Sequence, residues 1–275
     1  MTPPKPCRRA GLRLLVAIAL AAVVTTCKRS GPSTDVREDE LVIFAAASLR
    51  DVFTSLGEDF ERRHVGVEIT FNFAGTQELR TQLEHGAAVD VFASADMRQM
   101  DELVRSSLVA ESMVFARNEP VIVVFMDGSD TVESLADLPK AERVVIGTAE
   151  VPIGRYTLQI LDRARATLGQ DFRARVEAKV VSRELSVRQV LMKVVLGEAQ
   201  AGIVYRTDAS SAQDRVRVVA IPPEINVIAE YPIAVVTGAA HSNLARAWVE
   251  FVLSTEGQRE LASAGFRGAD EEPRH

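Results

Sequence analysis

The chain has 275 residues, 47% hydrophobic and 25% charged, with a formal net charge of −6. This balance supports one globular unit or two lobes with buried cores, and it excludes a disordered or fibrous chain. Only two cysteines occur, Cys7 and Cys27, which excludes a disulfide scaffold; the acidic surplus disfavours nucleic acid as a partner.

Residues 1–26 carry Lys5, Arg8, Arg9 and Arg13, then the apolar run LLVAIALAAVV and small polar residues before Cys27. This is the layout of a secretory signal peptide, and the apolar run is short for a membrane span of about 20 residues. Export to the periplasm or cell envelope is the expectation. The string VVTTC resembles the lipobox at which bacterial lipoprotein precursors are cut and acylated, although Thr26 is larger than the usual residue before the cysteine. Cys27 is therefore read either as a lipidation site or as an ordinary residue near a conventional cleavage site. Cleavage before Cys27 leaves 28 Lys and Arg against 38 Asp and Glu, a net charge of −10, and no internal disulfide. The polar stretch through residue 40 reads as a flexible tether.

From Leu41 onward short apolar runs alternate with stretches of helical period, the pattern of parallel sheets flanked by helices. Strands are expected at 41–47, 67–73, 89–94, 121–126, 143–148, 201–205, 216–221 and 233–238. The first is followed by a helix burying Val52, Phe53, Leu56 and Phe60 on one face. A last helix near 243–264 would bury Leu244, Ala247, Trp248, Phe251 and Val252. No internal repeat appears.

Five places draw attention as chemistry. In AAASLRD, Ser48 precedes a helix with Asp51 three residues on, so Ser48 is either a plain N-cap in a capping box or part of an anion site at a helix N-terminus. In FAGTQEL, Gly75 would let the backbone turn tightly while Thr76 places a hydroxyl at a second helix start. In VPIGRYT, Pro152 and Gly154 open a helix and leave the N–H of Ile153 or Gly154 unpaired. In SVRQVL, Ser186 and Val187 open another. Tyr205 ends the apolar strand AGIVY, and its hydroxyl either meets a core hydrogen-bond partner or a ligand. Arg155 and Arg188 lie beside these positions and would favour a carboxylate ligand if they pointed into a cleft.

No G-x-S-x-G, H-E-x-x-H, Walker A or G-x-G-x-x-G string is present, so no enzyme activity is expected. His85 before Gly86 fits a helix end, and Asp90 and Asp96 fit hydrogen bonding to nearby N–H groups.

Taken in order, FAAASL, FNFAGTQEL, GAAVDVFASAD, VPIGRYT, ELSVRQVL and GEAQAGIVYRTDA resemble the molybdate-binding periplasmic proteins of bacterial ABC importers, over about 41–266. The resemblance implies an α/β type II periplasmic binding protein fold, two α/β lobes with a ligand cleft between them. The first lobe would be 41–117 plus 229–275 and the second 118–228, after a signal peptide at 1–26 and a tether at 27–40. It implies that Ser48, Thr76, Ile153, Val187 and Tyr205 bind molybdate, and tungstate with it, through hydroxyls and main-chain N–H groups. Molybdenum would enter only as the oxyanion, with no cofactor. Thr76 departs from the Ser of many members, adding a methyl to a pocket selected for size. A monomer delivering its ligand to membrane permease and ATPase subunits is the implied role. The alternatives are a same-fold receptor for another small oxyanion or organic acid, or a lipid-anchored sensor or enzyme.

Overall fold

The computed structural model describes residues 39–126 and 131–269; the expected signal peptide and Cys27 lie outside the described residues. Strand β1 (Asp39–Ala46) starts two residues before the expected Leu41, so the end of the expected tether already belongs to it. It leads through a 3₁₀ turn (Ala47–Leu49) into α1 (Arg50–Arg63), whose Val52, Phe53, Leu56 and Phe60 are buried as expected. Then come β2 (Val67–Ala74), α2 (Thr76–Glu84), β3 (Val91–Ala93), α3 (Met97–Arg105) and β4 (Met113–Asn118). The chain crosses at Glu119 into β5 (Pro120–Phe125), followed by β6 (Val144–Gly147), α4 (Pro152–Leu168) and α5 (Phe172–Glu177). The second lobe ends with β7 (Val180–Glu184), α6 (Val187–Val195), β8 (Ala201–Tyr205), α7 (Arg206–Ser210) and β9 (Val216–Val219). A second crossing returns to β10 (Ala229–Val235), α8 (Ser242–Leu253) and α9 (Thr255–Ser263).

Two five-stranded sheets result, ordered β2-β1-β3-β10-β4 and β7-β6-β8-β5-β9. Both are mixed, where the apolar pattern suggested parallel sheets. The antiparallel partners are β10 with β3 and β4, and β5 with β8 and β9. These strands adjoin the crossings, and an apolar run buried on both faces carries no mark of its direction. Strands β4 and β7 were not expected, since Arg117, Asn118, Ser182 and Arg183 interrupt their apolar pattern. The expected last helix is two, divided at Ser254, whose extended backbone (φ −64°, ψ 162°) and side chain cap α9 at the Gly257 N–H.

Strand register decides where the turns emerge. Strands β1 and β2 pair in parallel from Asp39↔Val67 to Ala46↔Ala74 and so end level with each other. The turns carrying Ser48 and Thr76 therefore leave the sheet side by side. In the second sheet β6 is flanked by parallel β7 and β8, which brings the turns before α4, α6 and α7 to one edge. Binding at the carboxyl ends of parallel strands is the rule for open α/β sheets.

Candidate functional site

The two edges face each other. Between them lies a small cavity lined by Ser48, Gly75, Thr76 and Ala95 from the first lobe and by Val151, Pro152, Val187 and Tyr205 from the second, with Ala46, Ala47 and Ala74 at its side. The structure thus brings together four of the five residues expected to bind a ligand. The fifth, Ile153, has its side chain wholly buried and does not line the cavity; its neighbour Pro152 does. Ile153 is the second residue of α4, in the first turn, where a helix offers its own N–H groups no acceptor.

Each hydroxyl has a definite setting. Ser48 does not cap α1, which is preceded by Leu49 with no side-chain cap. The backbone continues from the 3₁₀ turn directly into the helix, leaving Ser48 Oγ free to meet Tyr231 Oη at 2.9 Å in the buried interior. Asp51 likewise forms no capping box and pairs with Arg188 instead. Thr76 Oγ1 accepts from the Ala95 N–H at 3.2 Å, so its own proton is available to another acceptor. Tyr205 is 1% exposed, and its hydroxyl has no partner among the described residues. Burial, with Tyr231, Tyr156, Asp96 and Asp208 nearby, holds the Tyr205 proton far above the usual phenol range, so the group stays a donor.

Among the described residues, no charged side chain lines the cavity. What it has instead is the start of three helices, α2 at Thr76, α4 at Pro152 and α6 at Val187. Each carries about half a positive charge in its unpaired first-turn N–H groups. Two glycines permit this convergence by close approach. A Cβ on Gly154 would stand 1.9 Å from the Thr148 carbonyl oxygen, so only glycine lets α4 begin against the end of β6. Gly75 has φ −61° and ψ 135°, which any residue adopts, so the expected tight turn does not explain it. A Cβ there would lie 2.2 Å from the Leu185 carbonyl oxygen of the opposite lobe.

The lobes are closed over the cavity by polar contacts at its rim. Arg155 donates to Asp96 Oδ2 from Nε (3.2 Å) and from Nη2 (2.8 Å). Arg188 bridges Asp51 of the first lobe and Asp208 of its own, the latter at 2.7 Å. Gln77 Nε2 donates to the Leu185 carbonyl at 2.9 Å, and Gln99 Nε2 to the Glu150 carbonyl at 3.2 Å. Both arginines are thus committed to carboxylates and neither lines the cavity. Asp208 is wholly buried, and desolvation raises its pKa to about 7 against the opposing pull of Arg188.

The other expectations resolve simply. Asp90 accepts from the Val42 and His241 N–H groups, and Asp96 caps α3 at the Gln99 N–H. His85 Nδ1 lies 2.7 Å from the Thr81 carbonyl at the end of α2. Tyr231, wholly buried, does not line the cavity but meets Ser48 behind it, a contact that sequence reasoning missed because Tyr231 sits inside the apolar strand AEYPIAV and reads as core.

Comparison with known proteins agrees with this architecture. The sequence profile of the bacterial extracellular solute-binding proteins matches residues 41–267. The molybdate-binding protein ModA of Mycobacterium tuberculosis strain H37Rv is 39% identical over 261 residues, covering 92% of this chain and 95% of that one. Two solved structures share the fold. The sulfate-binding protein SubI of Mycobacterium tuberculosis has a TM-score of 0.75 at 19% identity over 84% of this chain and 88% of its own. The periplasmic molybdate-binding protein of Azotobacter vinelandii has a TM-score of 0.72 at 16% identity over 85% and 100%. A profile spanning nearly all of both lobes, with a relative this similar over this length, makes the chain a member of the bacterial extracellular solute-binding protein family.

Proposed function

We propose that the chain captures molybdate in the cleft between its lobes and presents it to an ABC importer. The observation that carries this reading is the cavity itself, which brings Ser48, Thr76 and Tyr205 together with the starts of three helices and, among the described residues, has no charged side chain on its lining. A proton-free dianion is the ligand chemistry that suits donors alone. Each charge-assisted hydrogen bond contributes about 1.5–3 kcal/mol, and a dianion can accept several at once.

As closed, the cavity has room for about one ordered water, so any tetrahedral oxyanion enters with the lobes somewhat further apart. An organic acid with a carbon skeleton would need the lobes further apart, and the arginines that would hold its carboxylate are already paired with Asp96, Asp51 and Asp208. The name of the mycobacterial relative supports molybdate among the oxyanions. Tungstate, nearly equal in size and charge, is expected to bind comparably. Sulfate and phosphate, with shorter bonds to oxygen, would leave donors unmet, and each 1.4 kcal/mol so lost is about tenfold in affinity.

Ser48, Thr76 and Tyr205 are 4%, 1% and 1% exposed, so a ligand reaches them only when the lobes part. Opening and closing about the two crossings is the motion this requires. The amino-terminal pattern supports export, with Cys27 as the point of lipid attachment.

The test is calorimetric titration of a soluble form, starting after residue 34, with molybdate, tungstate, sulfate and phosphate. Tight binding of the first two and much weaker binding of the others is expected. Sulfate or phosphate binding as tightly as molybdate would defeat the molybdate assignment.

A further inference from the structure

Arg188 serves two carboxylates at once, and the two belong to different lobes. Its Nη2 donates to Asp51 Oδ2 at 2.5 Å across the rim of the cleft, while its Nε stands 2.7 Å from Asp208 Oδ1 behind the rim. The two acids differ in setting, the Asp51 side chain being 59% exposed and that of Asp208 wholly buried. The Nε contact is an ion pair without hydrogen-bond alignment, and among the described residues neither Asp208 oxygen has a hydrogen-bond donor. The charge on Arg188 is therefore what keeps this carboxylate ionised against burial. Burial pushes the Asp208 pKa up to about 7, Arg188 pulls it down, and the Asp51 charge pushes it up again. The groups around Asp208 supply no second free cation among the described residues. Helix α7 packs on β5, which has no titratable side chain, on β8, which has Tyr205, and on α6, where Lys193 pairs with Glu198. Arg206 of α7 itself pairs with Glu119, and Tyr231 of β10 keeps its proton through burial.

We infer that closure of the lobes over molybdate draws a proton from solvent onto Asp208, because closure makes Arg188 share its charge with Asp51, and that affinity for the anion therefore falls as pH rises. The inference rests on the reading that the lobes close on a bound oxyanion. With the lobes apart, Asp51 leaves with the first lobe, whereas Arg188 and Asp208 remain together in the second. Asp208 then has the guanidinium to itself. On closing, a second carboxylate and the incoming dianion join one cation in a region shielded from water, and protonation of the buried acid is the least costly relief. Proton and anion thus favour each other's binding. At low pH Asp208 is protonated in both forms, and above about pH 7 it is ionised in both, so the dependence is confined to the window between. Each unit by which the open and closed values differ is about tenfold in affinity. Asp51 is exposed and screened by solvent, so about three- to tenfold is expected in all.

The experiment is calorimetric titration of the soluble form with molybdate between about pH 5.5 and 8, at each pH in two buffers that differ in ionisation enthalpy and contain no oxyanion. The wild-type protein should take up a fraction of a proton per anion bound at about pH 6.5, and its affinity should fall about three- to tenfold from the bottom of the range to the top. Asp208→Asn should bind equally well throughout and take up no proton. Asp51→Asn, a change at the surface that leaves the core intact, should bind more weakly through loss of a closing contact. It should also lose at least about half of the uptake, since Arg188 then faces Asp208 alone in both forms. Thermal unfolding of each variant verifies that the fold persists. Tight molybdate binding without proton uptake, or uptake undiminished in either variant, refutes the inference and leaves the site standing. Absence of molybdate binding at every pH refutes the reading of the site, and the inference with it.

Discussion

Gly75→Ala separates closure of the lobes from folding of the chain. The backbone at Gly75 is one that alanine adopts without strain (φ −61°, ψ 135°). The added methyl meets the Leu185 carbonyl oxygen at 2.2 Å, about 1 Å inside ordinary contact, and Leu185 belongs to the other lobe. Within the first lobe the near atoms are the terminal amide of Gln77, which can rotate away. In an open protein the substitution is therefore harmless, or stabilising by about 0.4–1 kcal/mol through the unfolded chain. In the closed protein it acts as overpacking, at a cost of about 1–3 kcal/mol, and it disrupts the Gln77 bond to the Leu185 carbonyl. Molybdate affinity should then fall about 5- to 150-fold, while the unfolding midpoint of the ligand-free protein stays the same or rises. Calorimetry and thermal denaturation on one preparation read both quantities. Unchanged affinity would refute this closure of the lobes, and a matching loss of ligand-free stability would assign Gly75 to the fold instead.

Three further outcomes are expected. Arg155→Met removes two hydrogen bonds to Asp96, a buried carboxylate, from the closed form only. With Arg155 itself partly exposed and screened, binding should weaken by about tenfold, more at low salt than at high. Thr76→Val leaves the Ala95 N–H without an acceptor and deletes a donor to the ligand, so affinity should drop by at least about tenfold, whereas Thr76→Ser should retain it. Asp208 concerns pH. Its folded pKa of about 7 lies above the unfolded value near 4, so the native state binds the proton more tightly and stability falls as pH rises through this window. The unfolding free energy of wild type relative to Asp208→Asn should therefore decline between about pH 4 and 7, by up to about 4 kcal/mol. A flat difference in urea denaturation across that range would contradict the burial argument.

The sequence made the local pieces legible and left their mutual contacts hidden. Apolar runs closed by Ser48, Thr76 and Pro152 announce strands that stop at helix starts, Ser186 announces a helix start alone, and four of the five expected residues indeed line one cavity. Ile153 was judged by its amide, and its side chain turned into the core because the helix period demanded it. The close approach at Gly75 and the carboxylate partners of the two arginines escape the sequence for one reason. Their partners are Leu185, Asp96 and Asp51, on the opposite lobe and as much as 137 residues away for Arg188. Local pattern contains no such pairing. Tyr231 shows the same limit, since a tyrosine in an apolar strand reads as core until Ser48 is seen beside its hydroxyl.

The central claim is that a tetrahedral oxyanion sits among Ser48, Thr76, Tyr205 and the first turns of α4 and α6. Anomalous diffraction at the tungsten edge from crystals grown with tungstate tests it most directly. One strong peak is expected in the cleft, with oxygens about 2.7–3.2 Å from the hydroxyls and from the Ile153 and Val187 amides. A peak elsewhere, for instance in the separate pocket that holds Arg163, Arg206 and Arg267, with none in the cleft, would contradict it.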